Sequence, residues 1–144
     1  MREELQPRHI LAINQSPEVL ELFKALLEDE GYRITVRPVV DKDLAAIQAL
    51  APDLIVLDYM WDDEDSGWSF LQLLKMHPAT QAIPVIVCTG AVDRVEALKP
   101  HLDRMGVRVV LKPFNLEDLL DAIAIAIAIA LDVAETALAE TDQG

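Results

Sequence analysis

Four mainly apolar runs in this chain stop at residues able to do chemistry. Ile10-Leu11-Ala12-Ile13 ends at Asn14-Gln15, and Leu54-Ile55-Val56-Leu57 ends at Asp58. Val85-Ile86-Val87-Cys88 ends at Thr89, and the run from Val107 to Leu111 ends at Lys112-Pro113. A carboxylate, a hydroxyl and an ammonium can attack, donate a hydrogen bond and neutralise charge. Asp58 is the first candidate for a working residue, because ligands and reactions in an open α/β sheet gather at the carboxyl ends of the strands. The other reading of the same stretch is an ordinary solvated aspartate that closes a strand.

The elements that must position these residues alternate along the chain. Leu54, Ile55, Val56 and Leu57 show no polar alternation, the signature of a strand buried on both faces. Residues 9–13 read as another such strand. Ser16-Pro17 then opens a helix, with Ser16 as N-cap and Pro17 in the first turn, where a missing N–H costs nothing. Val19, Leu20, Phe23, Leu26 and Leu27 mark its inner face, and Gly31 ends it. Residues 32–36 form a second strand. Asp41 caps a short helix with the stripe Leu44, Ile47 and Leu50. An acidic loop over 62–66 leads to Gly67 and a helix bearing Trp68, Leu71 and Leu74. Pro84 introduces the fourth strand. The helix expected over 92–105 contains Pro100, which removes a backbone hydrogen bond and predicts a kink or two short helices. Gly106 precedes the fifth strand, and Asn115 caps the last helix, with Asp118 at its third position. Alternating strands and helices with short connections predict an α/β fold, a parallel sheet covered on both faces.

Bulk properties narrow the function. With 144 residues and a formal charge of −13, the chain reads as one domain with no nucleic acid and no anionic membrane as partner. Residues 1–8 form a loose lead-in, 9–130 the domain, and 131–144 an extension of the last helix with a tail. The single cysteine, Cys88, lies inside an apolar run and reads as a small buried hydrophobe. The first seven residues hold no apolar signal-peptide core, and the longest uncharged apolar run, 122–131, is too short to span a bilayer. A cytoplasmic protein is expected.

In order, the ends Asn14-Gln15, Asp58, Thr89 and Lys112-Pro113 resemble the receiver domain of two-component response regulators. Supporting stretches are Pro-Asp-Leu-Ile-Val-Leu-Asp over 52–58, Gly67-Trp68-x-Phe70-Leu71, Ile83-Pro84-Val85-Ile86 and Leu111-Lys112-Pro113-Phe114. The resemblance runs from His9 to Ile129. It implies a flavodoxin-like doubly wound sheet of five strands in the order 2-1-3-4-5, with five helices. It implies that Asp58 is a phosphoacceptor served by a histidine kinase or phosphotransfer protein. On the same resemblance Lys112 supplies positive charge, Thr89 donates its hydroxyl to a phosphoryl oxygen, and Lys112-Pro113 is a cis peptide. Asp58 and the backbone carbonyl of Met60 are the implied metal ligands.

Several positions depart from the family pattern. Receivers normally end the first strand in an acidic pair that holds Mg²⁺. Asn14 and Gln15 bring amide oxygens without charge, so Mg²⁺ binding is expected to be much weakened. A carboxylate from Asp62, Asp63, Glu64 or Asp65 could turn inward instead, or the four could form a solvated turn. Val109 stands where receivers carry the aromatic of the output switch. Met60 and Ala91 stand where residues tied to autodephosphorylation belong, which predicts slow hydrolysis of any aspartyl phosphate.

Wound as a helix, the alternating stretch 122–131 puts Ile123, Ile127 and Leu131 on one stripe and Ile125, Ile129 and Val133 nearly opposite. The second stripe predicts a homodimer or a protein partner through the last helix. Two readings stay open: a divergent, phosphorylatable stand-alone receiver, and a pseudo-receiver that signals by contact alone. Turnover enzymes fit less well. A haloacid-dehalogenase-like phosphatase needs an Asp where Met60 stands, and a flavodoxin needs a phosphate loop unlike residues 14–18.

Overall fold

The computed structural model describes residues 8–14, 16–37, 44–58, 64–89, 92–111 and 115–143. Five strands, β1 (His9–Asn14), β2 (Arg33–Arg37), β3 (Leu54–Asp58), β4 (Val85–Thr89) and β5 (Val107–Leu111), alternate with five helices. The helices are α1 (Pro17–Asp29), α2 (Leu44–Leu50), α3 (Glu64–Met76), α4 (Val92–Arg104) and α5 (Leu116–Gln143). All four strand pairings are parallel, and the order is β2-β1-β3-β4-β5. This is the flavodoxin-like arrangement expected above.

Successive side chains of a strand point to opposite faces, and here both faces are covered. Ile10, Ala12, Leu54, Val56, Ile86 and Cys88 pack with Leu20, Phe23 and Leu27 of α1 and with Leu119, Ile123 and Ile127 of α5. Leu11, Ile13, Ile55, Leu57, Val85 and Val87 pack on the other side with Ile47, Phe70, Leu71, Leu74 and Leu102. Double coverage is why the central strands lack alternation, and why Cys88 is a buried core residue.

The helix ends follow local chemistry. The Ser16 hydroxyl accepts the Val19 N–H at 3.3 Å, with Pro17 as the first helical residue. Asn115 Oδ1 accepts the Asp118 N–H at 2.8 Å. Gly31 and Gly106, at φ 95° and 72°, follow α1 and α4 in the left-handed conformation that glycine adopts freely. Ala51 takes a similar conformation after α2, at φ 50°, where a Cβ is costly. Asp41, the expected cap of α2, lies outside the described residues.

Two expectations are corrected. α3 begins at Glu64, so Glu64, Asp65 and Ser66 form its first turn rather than a loop. Acidic residues suit that place because the helix N-terminus carries partial positive charge. α4 runs unbroken through Pro100. Pro100 and Glu96 both lie on the exposed side, where water can take the carbonyl that the proline leaves without a donor.

α5 has 28 residues, about 42 Å at 1.5 Å per residue, more than twice the length of a five-residue strand. No described helix is long and apolar enough to cross a membrane.

Candidate functional site

Strand register assembles the carboxyl edge of the sheet. Asn14 pairs with Asp58 across β1 and β3, and Asp58 pairs with Cys88 across β3 and β4. Thr89, one residue beyond Cys88, pairs with Leu111 at the end of β5. Asn14, Asp58 and Thr89 therefore close three adjacent strands at one edge. Lys112 follows directly on Leu111 in the sequence, but Lys112 itself, Gln15 and Met60 lie outside the described residues. So do Asp62, Asp63, Ala91 and the Lys112-Pro113 peptide. Asp58 and Thr89 are located by their strand positions.

The central placement of Asp58 has a plain physical origin. Leu54, Ile55, Val56 and Leu57 are fully buried and fix the strand on both faces, so the chain can reach a polar residue only where β3 leaves the layered core. β1 ends beside it for the same reason, since Ile10 to Ile13 are at most 2% exposed.

The Asn14 side chain has a local partner. It is 7% exposed, and its Oδ1 accepts the backbone N–H of Ser16 at 2.7 Å. This is an Asx turn, which bends the chain out of β1 and delivers Ser16 to cap α1. The residue that stands for an acid is thus neutral and already spends one lone pair on the backbone. Mg²⁺ is held chiefly by carboxylate and water oxygens in octahedral geometry, so Asn14 offers a cation only one neutral lone pair and none of the charge that an acid would bring. Among the described residues no three His, Cys, Asp or Glu side chains gather as a metal-binding group. Val109 sits on β5 opposite Val87, half-buried against the α3 side of the core, with no ring to swing toward Thr89.

The opposite, amino-terminal edge of the sheet holds a polar cluster that the sequence did not announce. His9 is 5% exposed. Its Nε2 lies 2.6 Å from Thr35 Oγ1 and its Nδ1 lies 2.9 Å from the Leu50 carbonyl. Arg33 Nη2 also approaches Nδ1, at 3.1 Å; one nitrogen cannot donate to Leu50 and accept from Arg33 at once, so these two contacts compete. The His9 N–H donates to Asp53 Oδ2 at 2.8 Å, and the Asp53 N–H donates to the His9 carbonyl at 2.7 Å. These contacts tie β1 to the start of β3, at the far end from Asp58.

Lys75, near the end of α3, donates to the carbonyls of Gln81 and Ile83 at 3.2 and 2.7 Å. Burial lowers its pKa below the usual lysine value. It ties down the connection from α3 to β4 and takes no part in the strand-end site.

Comparison with known proteins decides the family. The profile of the response regulator receiver domain matches residues 10–124. The chain belongs to the response regulator receiver family. Among curated proteins, this receiver is 32% identical over 117 residues to a probable transcriptional regulatory protein, TcrX, of Mycobacterium tuberculosis. That match covers 81% of this chain and 48% of the relative. It is 31% identical over 112 residues to the nitrogen assimilation regulatory protein NtrX of Azorhizobium caulinodans, covering 76% of this chain and 24% of that protein. The receiver thus spans half or less of the length of these relatives.

Among solved structures, it matches NtrX of Brucella abortus with a TM-score of 0.73 at 24% identity, over 91% of this chain and 29% of that one. It matches the chemotaxis response regulator CheY4 of Vibrio cholerae with a TM-score of 0.69 at 23% identity, over 83% of this chain and 98% of that one. These two likenesses establish the shared fold. The family match, rather than the fold, sets the flavodoxin and phosphatase readings aside, since the strand order alone is shared with flavodoxins.

Proposed function

We propose that this receiver takes a phosphoryl group on Asp58 and passes the signal on by protein–protein contact. The observation that supports it is the register: Asp58 ends the central strand at the carboxyl edge, with Asn14 and the Cys88-Thr89 step as neighbours. A carboxylate oxygen of Asp58 attacks phosphorus, and the P–N bond of a phosphohistidine donor breaks, its electron pair leaving with the imidazole. Lys112 offsets the charge gathering on the phosphoryl oxygens, and Thr89 donates its hydroxyl to one of them. The donor is a histidine kinase or phosphotransfer protein. In place of an acid that would hold Mg²⁺, Asn14 contributes an amide whose oxygen accepts the Ser16 N–H at the turn into α1.

The same hydrogen bond favours a second reading, a receiver that signals through contact without phosphorylation. Intact mass after incubation with acetyl phosphate separates the two. The first reading predicts a gain of one phosphoryl group in the wild type and none in Asp58→Asn. No gain in either protein would leave the contact-only reading standing.

Contact by way of the last helix, with a second copy or another protein, belongs to both readings. On this reading 9–130 is the signalling domain, and 131–144 is an extension of the last helix with a tail.

A further inference from the structure

Asn14 carries amide protons that the fold leaves unused. Its side chain is 7% exposed, and the Ser16 N–H, at 2.7 Å, requires an acceptor. That contact settles which end of the amide is which: Oδ1 faces the Ser16 N–H, and Nδ2 takes the other side. Among the described residues Nδ2 has no acceptor of its own. Nearly all buried polar groups are hydrogen-bonded, and one left over marks a held water or a working site.

Its place favours the working site. Asn14 pairs with Asp58 in the parallel register of β1 and β3, neighbouring strand positions about 4.8 Å apart at the carboxyl edge. A phosphoryl group carried on Asp58 is large enough to bridge that spacing. Charge points the same way. An acid at position 14 repels an incoming phosphoryl group unless a cation lies between them, whereas an amide is neutral and presents N–H to the phosphoryl oxygens. The bond from Ser16 already holds the amide plane, so the donor is in position before the phosphoryl group arrives.

We propose that Asn14 Nδ2 donates a hydrogen bond to a phosphoryl oxygen as Asp58 is phosphorylated, and keeps that bond in the phosphorylated protein. Asn14 is then a catalytic residue, a neutral donor standing where receivers normally place a carboxylate. The bond from an Asp58 oxygen to phosphorus forms while the bond from phosphorus to its donor breaks, the electron pair leaving with the donor. The Asn14 amide keeps both protons throughout. The proposal rests on the phosphoryl reading of Asp58 and adds a residue to it.

The rate of labelling by acetyl phosphate in EDTA, read by intact mass on the full chain, tests it. In this reaction the bond from phosphorus to the acetate oxygen breaks, and acetate leaves with the electron pair. Asn14→Ser is the informative variant. Its hydroxyl can still accept the Ser16 N–H, as serine does in such turns, but it is neutral, a bond shorter, and has no amide protons. Its labelling is expected to be slower than wild type by roughly tenfold or more, with circular dichroism showing that it folds. A second readout needs no variant. In isotope-labelled wild type, one Asn14 Nδ2 proton should move downfield and exchange more slowly with water once Asp58 is phosphorylated, and neither change should occur in Asp58→Asn given the same reagent. A folded Asn14→Ser labelled as fast as wild type, or an amide resonance unmoved by phosphorylation, would overturn the proposal and leave Asp58 as the phosphoacceptor. No labelling of the wild type would overturn it together with the phosphoryl reading, so the two failures are told apart.

Discussion

Replacing Asn14 separates its structural duty from the metal-binding duty that its position carries in other receivers. Asn14→Ala removes the acceptor of the Ser16 N–H in a place that is 7% exposed. The donor left without a partner is half-buried, so about 1–3 kcal/mol is the upper range of its cost, and loss of the turn that feeds the α1 cap falls in the same range. At roughly 3–4 °C per kcal/mol for a domain of this size, the thermal midpoint should fall by roughly 3–12 °C. Asn14→Asp keeps the acceptor but places a carboxylate on the strand position beside Asp58, about 4.8 Å away across the sheet. At an effective dielectric near 20, two such charges repel by about 3 kcal/mol before screening.

The aspartate variant should therefore be destabilised in EDTA and regain much of the loss in millimolar Mg²⁺, because a cation bound only by the native state stabilises it. The wild type should show almost no Mg²⁺ dependence. Thermal melts of the three proteins, with and without Mg²⁺, provide the comparison. A wild-type shift with Mg²⁺ as large as that of Asn14→Asp, or an Asn14→Ala protein as stable as wild type, would refute the reasoning.

Other outcomes follow from single contacts. Ala51→Gly should stabilise the fold by about 0.5–1 kcal/mol in denaturant titration, because the residue after α2 sits at φ 50°. His9→Ala should destabilise by roughly 2–4 kcal/mol, since it opens a cavity and strips partners from Thr35 Oγ1 and the Leu50 carbonyl. It should leave acetyl phosphate labelling of the remaining folded protein unchanged, because the cluster lies at the opposite edge of the sheet. Burial lowers the Lys75 pKa, so the unfolded chain binds the proton more readily than the folded one. Stability should therefore rise with pH from the lowered folded value toward 10.5, and this slope should vanish in Lys75→Met. The titration is best read below 10.0, because the Tyr32 phenol, pushed up by burial and by Glu30, contributes the opposite slope above it.

Much of this fold was legible because burial on both faces leaves an unambiguous mark. Leu54 to Leu57 and Val85 to Cys88 are apolar without interruption, and the structure puts their residues on two separate cores. The division of α5 into buried Ile123 and Ile127 and exposed Ile125 and Ile129 was legible from 3.6-residue spacing alone, while the side chains of Leu131 and Val133 lie outside the described ones. The start of α3 was not, because Glu64 and Asp65 serve equally well in a solvated loop and in a helix first turn. Pro100 misled because sequence does not say whether the carbonyl it strands faces water or core. Asn14 was legible as a missing acid but not as a turn former, since an amide within reach of the N–H two residues on has that option only once β1 ends there. The His9 cluster was out of reach for another reason. Its main partner, Asp53, is 44 residues away along the chain, and only the register of β1 with β3 brings them together.

The most direct test of the account is the rate of Asp58 labelling by acetyl phosphate, followed by intact mass in EDTA and in millimolar Mg²⁺. An acceptor whose strand-one neighbour is a capping amide should be labelled slowly, at nearly the same rate in both conditions, and not at all in Asp58→Asn. Labelling that needs Mg²⁺, or that persists in Asp58→Asn, would contradict it.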